Sequence, residues 1–207
     1  MSALALAEAV NSPYKFCDYY TEADRGRFAG REDDVREVVA RTMQSRASVL
    51  YGRSGLGKTS LLLAGIFPEL RQRGIEPIHV RMLESPFSDL AEALTKRFSD
   101  ECRPEPAAVL EFLKSHSEKQ GVLLALDQFE EFFIRFRGSA EASSFVMLLG
   151  SVVSDTSVDV RILFSLREDY LAELDDFREA CPNLLANAYR LHPLTAFGAR
   201  QAVIAPL

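Results

Sequence analysis

The chain has 207 residues, 47% hydrophobic and 26% charged, the profile of one ordinary globular domain with a sizeable core. No stretch approaches the ~18 apolar residues of a membrane span. The apolar start MSALALAEAV also lacks a basic lead, so a cytoplasmic protein without a membrane partner is expected. A net charge of -6 argues against bulk attraction to nucleic acid, and Cys17, Cys102 and Cys181 lack metal-ligand spacing, so free thiols are expected.

In chain order, Val35, Val38, Val39 and Met43 recur at helical spacing and predict an amphipathic helix. Four short apolar runs then read as buried strands: Ala47 to Tyr51, Ile75 to Met82, Val122 to Leu126 and Val160 to Leu166. Between them, Phe87, Leu90, Ala91, Leu94 and Phe98 predict one helix, and Phe145, Leu148, Leu149, Val152 and Val153 another. Ser85-Pro86 has the form of an N-cap followed by proline at the first helical position, and Arg103 to Pro106 separates two helical segments. A fifth strand is expected around Ala188 to Leu191. Strands alternating with helices imply an α/β fold, a parallel sheet of about five strands covered on both faces. His79, His116 and His192 are isolated and are expected to be structural or surface residues.

Directly after the first strand comes Gly52-Arg53-Ser54-Gly55-Leu56-Gly57-Lys58-Thr59-Ser60, then an apolar helical run. This is the phosphate-binding pattern G-x-x-x-x-G-K-[ST] between a strand and a helix. The glycines let backbone N–H groups turn inward around a phosphate, and the helix dipole adds positive potential. Gly52, Ser54, Gly55, Leu56, Gly57, Lys58, Thr59 and Ser60 are therefore the candidate nucleotide contacts. Lys58 is expected to bridge the terminal phosphates and Thr59 to ligate Mg²⁺.

A second carboxylate-bearing strand end is required, and LDQFEEFF, residues 126–133, supplies it. Asp127 is the candidate metal-side acid beside Thr59. If the chain turns helical there, 100° per residue gathers Phe129, Phe132, Phe133 and Phe136 within about 50° of one direction. Glu130 and Glu131 then face the cleft, roughly 60° and 40° from Asp127 in azimuth. Either could orient the attacking water, with a slight preference for Glu131. Arg167, at the end of the next strand, is a candidate γ-phosphate sensor, since ligands bind at the ends of parallel strands. Its alternative is an exposed arginine paired with Glu168 or Asp169.

Taken together, these residues resemble the STAND class of signal-transduction ATPases, and most closely the bacterial novel STAND NTPase group. The carrying stretches are Ser12-Pro13-Tyr14-Lys15, Phe28-Ala29-Gly30-Arg31-Glu32, GRSGLGKTSLLLAGIFPEL, LDQFEEFF, SLREDYL and Leu191-His192-Pro193-Leu194 leading to Pro206. The acid spacing after Asp127 is similar to that of NACHT-type members. The resemblance implies a P-loop NTPase core acting as an ATP/ADP switch with Mg²⁺, and it makes Gly30 and Arg31 candidate nucleotide contacts, with Pro206 near the base. It also implies partners: a C-terminal lid, a winged-helix domain and a sensor array, with self-association on activation. On that pattern residues 1–32 form an N-terminal segment, 33–194 the nucleotide core and 195–207 the start of a lid. Alternatives are an AAA-type ring ATPase or nucleic-acid loader, and a non-catalytic nucleotide-binding adaptor. A GTPase is disfavoured because no Asn-Lys-x-Asp motif occurs.

Overall fold

The computed structural model describes Lys15 and residues 18–205, so the expectations placed on residues 12–14, Cys17 and Pro206 lie outside the described residues. The strands are β1 (Ala47–Gly52), β2 (Ile75–Arg81), β3 (Gly121–Asp127), β4 (Val160–Arg167) and β5 (Ala188–Arg190). They form one parallel sheet in the order β2-β3-β4-β1-β5. The helices are α1 (Glu32–Gln44), α2, α3 (Pro86–Phe98), α4 (Pro106–Ser117), α5 (Glu130–Phe136), α6 (Ala140–Ser154) and α7 (Ala196–Ile204). Here α2 joins an α turn at Lys58–Ser60, a π-helical stretch at Leu61–Ile66 and an α segment at Phe67–Gln72.

The continuous apolar runs become strands because both faces of the sheet are covered. Along β3, Val122, Leu124 and Leu126 enter one core with residues of α3, α4, α5 and α6, while Leu123 and Ala125 enter the other with α1 and α2. The edge strand β2 carries Pro77, tolerated where no second neighbour needs its missing N–H. Beside it Glu76, 5% exposed, accepts hydrogen bonds from Arg71 and Arg97. Ser85 caps α3 by accepting from the Ser88 N–H, as its sequence position predicts.

Two local expectations need correction. Met43 is 38% exposed, one residue before α1 ends at Gln44. The helix bearing the acids does not start at Asp127: β3 runs through that residue, Gln128 takes a left-handed φ of 52°, and α5 begins at Glu130. The phenylalanine face nonetheless forms. Phe129 is fully buried and its ring packs against those of Phe132, Phe133, Phe164 and Phe177. Burial of one such ring contributes roughly 1.5–3 kcal/mol, so this cluster anchors α5 at the strand end.

Cys102 and Cys181 are free and buried, and burial pushes both thiols up to about 11, as expected for inert residues. Among the described residues no helix is long and apolar enough to cross a membrane.

Candidate functional site

Parallel register brings the chemistry-bearing residues to one edge of the sheet. Gly52 pairs with Arg167 across β1 and β4, and Arg81 with Asp127 across β2 and β3. The loop after β1 then turns back through Gly55 and Gly57, at φ of 79° and 88°. Only glycine adopts such angles freely, and the space a Cβ at Gly57 would enter is open. A cavity of about 460 Å³ opens there, lined by Ser54, Gly55, Gly57, Lys58, Thr59, Ser60, Asp127, Gln128, Glu130 and Arg167, together with Asp18, Tyr19 and Tyr20.

Within it, the Lys58 ammonium donates to the carbonyls of Gly52 at 2.9 Å and Arg53 at 3.2 Å. Burial lowers its pKa, opposed by the charges of Glu130 and Asp127. The Thr59 hydroxyl donates to Asp127 Oδ2 at 2.8 Å, and Ser165 donates to Asp127 Oδ1 at 2.9 Å. Asp127 is 1% exposed, and burial alone would raise its carboxyl. The hydrogen bond and charge of His79, with the hydroxyls of Thr59 and Ser165, outweigh burial and hold it below the ordinary carboxylate value. His79 Nε2 lies 3.1 Å from Asp127 Oδ2. Sequence reasoning assigned His79 no site role, because the signal is the β2–β3 register rather than any local spacing.

The two glutamates separate. Glu130 lines the cavity and its Oε2 accepts from the Arg167 backbone N–H at 3.2 Å. Glu131 is not among the lining residues and pairs with Arg135 at 2.9 Å along α5. The turn at Gln128 takes Asp127 off the helix, which removes the azimuthal basis for preferring Glu131. Arg167 lines the cavity while its guanidinium pairs with Asp169 at 2.7 Å. Next to it Glu168 joins Arg53 of the loop to Arg190 of β5.

Arg31 and Gly30 stand behind the loop. Arg31, 9% exposed, donates to Leu56 O at 3.0 Å, to His192 O at 2.8 Å and to Asp34 Oδ2 at 2.9 Å. Gly30 meets α7, where a Cβ would stand 2.1 Å from Gly198 O. A smaller cavity of about 160 Å³ adjoins the loop, lined by Tyr20, Arg27, Phe28, Ala29, Arg31, Leu56, Gly57, Ser60, Leu194 and Ala202. It shares Tyr20, Gly57 and Ser60 with the larger one.

A glycine loop between β1 and α2, with an aspartate two strands away reaching the loop's threonine, defines an α/β P-loop NTPase core. The chain belongs to the family Novel STAND NTPase 1, which it matches over residues 13–207. Solved structures similar to it include the Walker-type ATPase PABY2304 of Pyrococcus abyssi, with TM-score 0.65 and 16% identity over 90% of this chain and 59% of that one. The Aeropyrum pernix ORC2 protein in ADPNP–ADP complexes matches with TM-score 0.54 and 18% identity over 78% of this chain and 47% of that one. The chain thus spans roughly half to three-fifths of these structures. A comparison with curated proteins finds no match.

Proposed function

We propose that the chain is the ATP-binding, slowly hydrolysing switch module of a larger cytoplasmic STAND signalling protein. The observation that carries this reading is the convergence of Lys58, Thr59, Asp127 and Glu130 on one cavity behind a glycine loop. The backbone N–H groups of Gly55 to Thr59 and the Lys58 ammonium hold the phosphates. Binding ATP exchanges the two carbonyl partners of Lys58 for phosphate oxygens, so the lysine needs no new conformation of the loop around it.

Thr59 and Asp127 offer two hard oxygen donors 2.8 Å apart, and among the described residues no group of three or more His, Cys, Asp or Glu could hold a metal ion. That donor set fits Mg²⁺, which binds through one or two protein oxygens and completes its shell with phosphates and water. When bound, Mg²⁺ would neutralise charge developing on the terminal phosphates. Ser165 and His79 orient the Asp127 carboxylate. Glu130 takes the proton of the attacking water, and Arg167, released from Asp169, reaches the γ-phosphate. The adjoining 160 Å³ cavity receives the base, with Arg31 on its wall and bonded to the loop through the Leu56 carbonyl.

By analogy with the family pattern, a lid, a winged-helix domain and a sensor array complete the switch, with self-association in the ATP state. The test is calorimetric titration of ATP and ADP with and without Mg²⁺, together with phosphate release. Micromolar Mg²⁺-dependent ATP binding with slow turnover is expected; a folded chain that binds neither nucleotide contradicts the proposal.

A further inference from the structure

Asp127 is followed by a residue in a conformation its side chain resists. Gln128 has φ of 52°, among the few non-glycine residues of the described chain in the left-handed region. A side chain disfavours that region, and glycine would hold the same turn freely. Backbone outliers of this kind gather at active sites, where surrounding contacts hold them in place.

Here the surrounding contact is Arg81. It stands at the end of β2, and its Nη2 donates to Gln128 Oε1. Arg81 Nε is buried without a hydrogen-bond partner, so the guanidinium gives up solvation to occupy this position. Oε1 is committed to Arg81, and Gln128 lines the cavity together with Lys58, Thr59, Asp127 and Glu130. Among the described residues no hydrogen bond occupies its amide NH₂ group.

We propose that Gln128 is a catalytic residue, its amide NH₂ donating to the attacking water and the γ-phosphate oxygens, and that Arg81 is a positioning residue acting through it. This rests on the functional reading above. In the step served, the water oxygen bonds to the γ-phosphorus as the bond to the β,γ-bridging oxygen breaks. That oxygen leaves on ADP with the electron pair, and the water proton passes to Glu130. Gln128 exchanges no proton; it orients the water and donates to charge that grows on the phosphoryl oxygens.

The experiment compares wild type, Gln128→Gly, Arg81→Leu and the double variant in turnover, ADP affinity and affinity for ADP with aluminium fluoride, a mimic of the transferring phosphoryl group. Gln128→Gly keeps the turn, so its melting temperature should not fall and its ADP affinity should stay within twofold. Its turnover should fall at least tenfold, and its affinity for the mimic should fall in step. Arg81→Leu should slow wild type but leave the Gln128→Gly rate unchanged, a pattern that a purely structural Arg81 does not give. Wild type that hydrolyses MgATP while Gln128→Gly keeps its rate and its affinity for the mimic overturns this inference alone. Wild type that neither binds nor hydrolyses MgATP overturns the functional reading, and this inference with it.

Discussion

Thr59 Oγ1 and Asp127 Oδ2 are joined by a 2.8 Å hydrogen bond across 68 residues of sequence, uniting the helix end of the glycine loop with the end of β3. On the proposed function, these two oxygens are the residues that would hold Mg²⁺. Asp127→Asn keeps the shape and removes the charge. ATP affinity measured by calorimetry should then lose its dependence on Mg²⁺, and chelation by EDTA should change it less than twofold; an undiminished Mg²⁺ effect places the ion elsewhere.

Glu130 and Glu131 differ in what they face, and single substitutions separate them. Glu130→Gln should bind ATP normally and hydrolyse at least tenfold more slowly, in line with general-base contributions of ~10² or more. Glu131→Gln removes only the pair with Arg135, so steady-state turnover should stay within twofold. A slow Glu131→Gln beside an unchanged Glu130→Gln would reverse the assignment.

The fold was legible because its strands are buried on both faces and so appear as unbroken apolar runs, and because the loop motif carries its own chemistry. What was illegible depends on contacts remote in sequence or on backbone that the residue type does not announce. Gln128 gives no hint of a left-handed turn, since glycine is the usual signal, and that one turn decides which glutamate faces the cavity. His79 reaches Asp127 only through strand register. The bonds of Arg31 to the Leu56 and His192 carbonyls, 25 and 161 residues away, exist only in the folded chain and leave no local signal.

Arg31 is predicted to act on the loop through stability. Arg31→Ala leaves two carbonyls without their donor and the Asp34 carboxylate with only the Tyr189 hydroxyl, in a half-buried setting, at a cost of about 2–4 kcal/mol. For a chain of this size ~1 kcal/mol lowers Tm by about 2–4 °C, so scanning calorimetry should show a drop of several degrees. An unchanged Tm with lost ATP affinity would instead favour direct contact with the nucleotide.

Glu76 gives a pH dependence with a defined sign. Burial would raise its carboxyl, but hydrogen bonds from Arg97 and Arg71 outweigh it, so the folded pKa lies below the unfolded value of ~4.3. Its contribution is therefore complete above the unfolded value and is lost as pH falls through the folded one. Urea titrations should show wild type more stable than Glu76→Gln by a constant margin between about pH 7 and 5.5, shrinking below ~4. A margin that grows on acidification contradicts the ion-pair account.

The central claim is that residues 52–60 hold the phosphates of a nucleotide, and the most direct measurement is calorimetric titration of MgATP into wild type and Lys58→Ala. Wild type should bind in the micromolar range or weaker, about -8 kcal/mol at 1 μM. Lys58→Ala should fold, with an unchanged melting temperature within a few degrees, and give no measurable heat of binding. Equal affinity in a folded Lys58→Ala protein would contradict the phosphate-loop assignment.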